Sequence, residues 1–137
     1  MIIAGISIES KSLRLAIIDS STMKLIKSTP KIELENDDNQ ESVKAFNQTF
    51  CAITRDYNID RIYIKKRAQK GDHASGPISF KIEGIIQMVD IPVQLISAIT
   101  IAAFIKRNEV EIPSTLYKYQ HDAYKVAYVS IEKYINA

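Results

Sequence analysis

The chain has 137 residues, 46% of them hydrophobic and 25% charged, the composition of one globular domain over 1–137 with core enough to fold without disulfides or metal. Its single cysteine, Cys51, excludes an intrachain disulfide framework. Eighteen basic residues against 16 acidic ones leave a formal charge of +2, which excludes a uniformly basic nucleic-acid coat. No apolar run reaches the ~20 residues of a membrane span. The opening Met1-Ile2-Ile3-Ala4-Gly5 lacks the basic flank of a signal peptide, so a cytoplasmic location is expected, with no membrane partner.

From Ile2 to Glu9 apolar residues alternate with small or polar ones, the period of a strand. The polar Glu9-Ser10-Lys11-Ser12 turns the chain into a second apolar run, Leu13 to Asp19, and the two form a hairpin. A third strand is expected over Met23 to Leu34, with a bulge or edge at Pro30 because proline cannot donate to a ladder. Asp37 or Asp38 then caps a helix whose buried stripe is Val43, Phe46, Phe50, Ile53 and Tyr57, with Cys51 beside it as an inert thiol. Arg61-Ile62-Tyr63-Ile64-Lys65 reads as a strand. Pro77 opens a second helix with Ile78, Ile82, Ile85, Ile86 and Val89 inward. Pro92 to Ile96 is a fifth strand, Ser97 caps a helix over Ala98 to Asn108, and a last helix runs from about Leu116 to Tyr134. An antiparallel meander followed by β-α-β-α-β is an α/β fold. It predicts a mixed five-stranded sheet, its parallel strands joined by right-handed crossovers and its two faces covered by helices, which is the ribonuclease H-like arrangement.

Charge is unevenly placed. Glu33, Glu35, Asp37, Asp38 and Glu41 form an acidic stretch. Arg61, Lys65, Lys66, Arg67, Lys70 and Lys81 outweigh Asp72 and Glu83 in a basic one. The acids suit a helix N-terminus or a solvated loop. The basic stretch ends a strand and leads through Gly71 and Gly76 to a helix, and ligands of open α/β sheets gather at such strand ends. Lys65, Lys66, Arg67, Lys70 and Lys81 supply charge, Gly71 and Gly76 allow close backbone approach, and Ser79 offers a hydroxyl. This makes an anion or nucleic-acid site, or alternatively a solvated loop. The spacing is not that of a P-loop. Tyr63, His73 and Phe80 can stack on bases or serve the core. His73 has no second histidine or cysteine at zinc-ligand spacing, and His121 beside Asp122 has no recognisable nucleophile to serve.

The stretch Ile64-Lys65-Lys66-Arg67-Ala68-Gln69-Lys70-Gly71, followed by Ser75-Gly76-Pro77-Ile78-Ser79-Phe80-Lys81-Ile82-Glu83-Gly84-Ile85-Ile86-Gln87, resembles a small uncharacterised bacterial family, domain-of-unknown-function family 3010. The resemblance covers the whole chain and implies a fold similar to RuvC-type resolvases. In those nucleases an aspartate of the first strand, a glutamate ending the fourth and aspartates opening the last helix hold two divalent ions, Mg²⁺ or Mn²⁺, that clamp the attacking and leaving oxygens. Here the first-strand position is Ser7, in Gly5-Ile6-Ser7, and the fourth-strand position is Lys65. Asp122 alone keeps its carboxylate, and Tyr119 stands a turn before it. A lysine in that place repels a metal and can pair with Asp122, so these positions imply a degenerate site without a metal cofactor.

Three readings follow. The first is a non-catalytic or weakly catalytic domain that binds nucleic acid or a phosphorylated ligand through the basic loop. The second is a metal-dependent nuclease with Glu9, Glu83 and Asp122 as a rearranged catalytic cluster. It is weighed against Glu9 solvated in the hairpin turn and Glu83 paired with Lys81 or a neighbour. The third is a protein-interaction module, including a homodimer.

Overall fold

The computed structural model describes residues 1–29, 31–67 and 76–137. Alternation in β1 (Ile2–Glu9) sends Ala4 and Ile6 to one face of a sheet and Ile3, Gly5 and Ser7 to the other. Strand β2 (Ser12–Asp19) runs antiparallel to it, pairing Gly5 with Ala16 and Ser7 with Arg14. Strand β5 (Arg61–Lys65) lies parallel on the other side of β1, with Ile6 beside Ile64, and β6 (Val93–Ile96) continues parallel, with Lys65 beside Ile96. The sheet is mixed: β3 (Lys24–Ser28) lies outside β2, giving the order β3-β2-β1-β5-β6, and β4 (Ile32–Glu33) is also on β2.

The expected third strand is split in two. Strands β3 and β4 both pair antiparallel with β2, whose register against β3 shifts between Ile17 and Ile18. Thr29 spans the break: its N–H donates to the Leu15 carbonyl (2.9 Å), while its hydroxyl accepts from the Leu15 N–H (3.2 Å). A side chain thus supplies what the ladder lacks beside a residue without an N–H. Pro30 itself lies outside the described residues.

Helices α1 (Gln40–Asp56) and α2 (Pro77–Ile86) cover one face, where Phe46, Phe50, Ile82 and Ile86 close over Ala4, Ile6, Leu13, Leu15, Ile17, Ile62 and Ile64. Helices α3 (Ala98–Asn108) and α4 (His121–Ser130) cover the other, with Ile101, Ala123, Val126 and Ala127 over Ile3, Ala16, Ile18 and Tyr63. The cap of α1 is Asn39, whose side chain accepts from the Ser42 N–H (3.0 Å), rather than Asp37 or Asp38. Asparagine caps as well as aspartate, and here Ser42 in turn accepts from the Asn36 N–H, 2.8 Å away, which fixes the entering loop. Ser97 caps α3 as expected, accepting from Thr100. The last helix is composite: a 3-10 turn at Lys118–Gln120 leads into α4, which ends in a π-helical turn at Ile131–Ile135. None of the described helices is long and apolar enough to cross a membrane.

Candidate functional site: a lysine groove around Asp122

The close seating of α4 on β1 builds the site. A Cβ placed on Gly5 would come within 2.6 Å of the Ala123 carbonyl oxygen and 2.7 Å of the Ala127 Cα, and closer still to the Ala127 nitrogen. Only glycine lets the helix backbone lie against the strand here. Asp122, one residue before Ala123, is thereby held over the carboxyl ends of β1 and β5. From β5, Lys65 shares the α4 face with Tyr63 and reaches Asp122, Nζ to Oδ2 3.5 Å, with the two side chains 35% and 57% exposed. Ser7 lies one register step beyond Ile6, beside Lys65. The three positions singled out by the resemblance are therefore neighbours in space, with Lys65 and Asp122 paired.

Two clefts share Asp122 and Lys125. One, of about 320 Å³, is lined by Lys65, Ile101, Ile105, Lys106, Asp122 and Lys125 among others. The second, of about 220 Å³, is lined by Ser7, Glu9, Arg14, Lys118, Tyr119, His121, Asp122 and Lys125. Among the described residues, the cations Arg14, Lys65, Lys106, Lys118 and Lys125 and the carboxylates Glu9 and Asp122 line this groove. Arg14, Lys106, Lys118 and Lys125 are not evident from the basic stretch. Lys125 follows Asp122 by one helical turn and Arg14 is the hairpin partner of Ser7, so spacing and register are the signals that point to them.

Three of the groups expected to make the basic loop an anion site, Arg67, Ser79 and Lys81, are engaged elsewhere. Arg67 is buried, its guanidinium paired with Glu83 and lying 4.5 Å over the Phe80 ring. Burial of both partners makes this a mutual neutralisation, so Arg67 is not presented to a ligand and Glu83 is not presented to a metal. Ser79 is buried, its hydroxyl donating to the Ser10 carbonyl (2.9 Å) and tying α2 to the β1–β2 turn. Lys81 donates to the Asp37 carbonyl. Gly76 is extended, and among the described residues nothing stands within 4 Å of where its Cβ would be. Lys66 is exposed at the strand end. Lys70, Gly71 and His73 lie outside the described residues. Tyr63 is buried and belongs to the core, stacked on Tyr134 at 5.9 Å.

The rearranged carboxylate cluster does not assemble. Glu9 is 86% exposed and its nearest cation is Arg14, 3.8 Å away, while Glu83 is held by Arg67. Among the described residues no three of His, Cys, Asp and Glu stand together as a metal ion would need. The donor set around Asp122 does not fit the pair of divalent ions implied by the resemblance. Hard cations need several anionic or carbonyl oxygens, and here a hydroxyl and an ammonium flank one carboxylate.

Residues 1–130 match the family described as a protein of unknown function (DUF3010). The chain belongs to this family. No curated protein matches it. Among solved structures it is similar to RuvC of Thermus thermophilus (TM-score 0.71, 11% identity, covering 94% of this chain and 92% of that one), and to the same organism's RuvC in complex with Holliday junction substrate (TM-score 0.68, 11% identity, 94% and 91%). It is also similar to the Fowlpox virus resolvase in complex with Holliday junction DNA (TM-score 0.54, 18% identity, 95% and 98%). These likenesses establish a ribonuclease H-like fold of the RuvC type for this member of the family.

Proposed function

We propose that this protein binds nucleic acid through phosphates held in the lysine groove around Asp122, and that it binds without metal-dependent cleavage. The observation that carries the reading is the Lys65–Asp122 pair at 3.5 Å, set among Lys106, Lys118, Lys125 and Arg14. Lys65 neutralises Asp122, so the surrounding cations set the sign of the groove, and that surplus positive charge attracts phosphate and repels a divalent ion. The binding surface is then the groove between α3, α4 and the ends of β1 and β5, rather than the loop after β5. Support from the comparisons is one of shape: two of the similar structures are complexes with Holliday junctions.

The test is fluorescence anisotropy with a labelled four-way junction, a duplex, a single strand and a nucleoside triphosphate, each with and without Mg²⁺ or Mn²⁺. Lys106→Glu and Lys125→Glu are expected to weaken binding at least about tenfold, since each reverses a charge at a phosphate contact. Lys27→Glu on the sheet edge, with the same change in net charge, should leave it nearly unaltered. Equal losses for all three variants, or no binding of any probe, would overturn the reading. Metal-dependent cleavage abolished by Asp122→Asn would establish the nuclease alternative instead.

A further inference from the structure

Tyr117 and Tyr119 contribute little to the core. They are 67% and 48% exposed, yet their rings stack with centroids 5.6 Å apart and planes 11° from parallel. Arg14 lies over the Tyr119 ring at 4.9 Å, and its Nε is buried with no hydrogen-bond partner among the described residues. The turn that carries the tyrosines is braced at both ends: the Tyr117 N–H donates to Gln120 Oε1 (2.9 Å) and the Gln120 N–H to the Tyr117 carbonyl (2.9 Å). The result is a braced cluster of a guanidinium and two phenol rings, held at the rim of the cleft that Tyr119 shares with Lys118, Asp122 and Lys125.

Resting on the nucleic-acid reading above, we propose that Tyr117 is a stacking platform for an unpaired base of a nucleic-acid strand whose phosphates lie in the lysine groove. A solvent-facing aromatic plane beside clustered cations has the two features that single-strand binding combines, a π-face for the base and positive charge for the backbone. Stacking on Tyr119, which Arg14 also covers, orients the Tyr117 ring and lowers the entropy cost of ordering it. A base inside a continuous duplex has both faces covered by its neighbours, so the platform selects single strands, gaps or extruded bases over intact duplex. Stacking tolerates any base because every base has a π-face, so the platform accepts DNA or RNA.

The experiment measures affinity for three labelled probes, each longer than the about 4–16 nucleotides covered by small single-strand-binding folds. They are a thymidine strand, an abasic strand with the same phosphates, and a duplex; a uridine strand extends the test to RNA. Tyr117→Ala is expected to weaken binding of the thymidine strand about tenfold, while changing the abasic strand and the duplex less than about twofold because their contacts are with the phosphates. The chain has no tryptophan, so Tyr117→Trp places a single reporter on the platform. It should keep the preference for the thymidine strand over the abasic one, and its fluorescence should be quenched by the thymidine strand and not by the abasic one. Equal wild-type affinity for thymidine and abasic strands, or equal losses on both for Tyr117→Ala, would overturn the platform and leave the phosphate groove standing. Failure of every probe to bind would overturn both.

Discussion

At the end of β5 two cation–carboxylate pairs stand close in sequence and differ in physical character. Lys65–Asp122 is half exposed, so its contribution to stability is small, about 0–1 kcal/mol, and its consequence is electrostatic. Arg67–Glu83 is buried, where losing one partner strands a charge in the interior. Glu83→Gln is therefore expected to cost about 3–5 kcal/mol, whereas Arg67→Met with Glu83→Leu should recover most of that loss. Urea unfolding of the three proteins checks this, and a double variant no more stable than Glu83→Gln would count against it. The Asp122 site carries its own expectation. Ser7→Asp with Lys65→Glu returns carboxylates to both neighbouring positions, so Mn²⁺ at ten times its Kd should stabilise the variant by about 1.4 kcal/mol, a rise in Tm of about 4 °C in a domain of this size. The same Mn²⁺ should leave the natural chain unmoved. Lys65 and Asp122 are legible as partners once the resemblance aligns them. The engagement of Arg67 is not, because a run of cations shows how much charge is present and not which side chain folds inward to meet a carboxylate on the next helix.

Between elements, the contact that matters most is α4 on β1. Its signature in the sequence is faint: a glycine in a strand and two alanines four apart, Ala123 and Ala127, on a helix. None of these has a hydrophobic volume that periodicity would reward. Gly5→Ala forces its methyl against the helix backbone, which cannot move aside as a flexible side chain would. The expected loss is at least about 1–3 kcal/mol, read as a lower denaturant midpoint. The same displacement of Asp122 should weaken nucleic-acid binding beyond what stability explains. Helix α4 also imposes a pH dependence. Burial, with a smaller contribution from the neighbouring Tyr128, raises the Tyr124 pKa above the ordinary tyrosine value. The neutral phenol is therefore favoured in the folded state. This contribution is complete below the unfolded value of about 10 and is lost as pH rises through the folded one. Tyr124→Phe cannot ionise, so its Tm should fall less than that of the natural chain between about pH 9 and pH 11. Most element positions were legible because strong periodicity fixes them, as at α1 with Phe46 and Phe50 inward and at α3 with its Ser97 cap. The third strand was less so, since the Thr29 hydroxyl substitutes for a ladder bond in a way that no propensity signals.

Across the whole molecule, a formal charge of +2 conceals an ordered distribution. The acids of the stretch from Glu33 to Glu41 lie along β4 and the entry to α1. The cations Arg14, Lys65, Lys106, Lys118 and Lys125 come from four separate stretches of chain and converge only where the sheet order sets β2, β1 and β5 side by side beneath α3 and α4. A linear scan for basic runs picks out the loop after β5 and passes over this convergence, which belongs to the topology. A local groove of this kind, rather than a basic coat, sets a definite salt dependence. Each neutralised phosphate of a single strand lowers the slope of log K against log salt by about 0.7, so four contacts predict a slope near −3. Lys125 lines both clefts, and Lys125→Gln should therefore bring the slope about 0.7 closer to zero, while Tyr117→Ala lowers affinity at every salt concentration and leaves the slope unchanged. A titration over several salt concentrations separates the two, because counterion release follows the charges and stacking follows the ring. If Lys125→Gln shifted the affinity without changing the slope, the lysines would be shaping the groove and not neutralising phosphate.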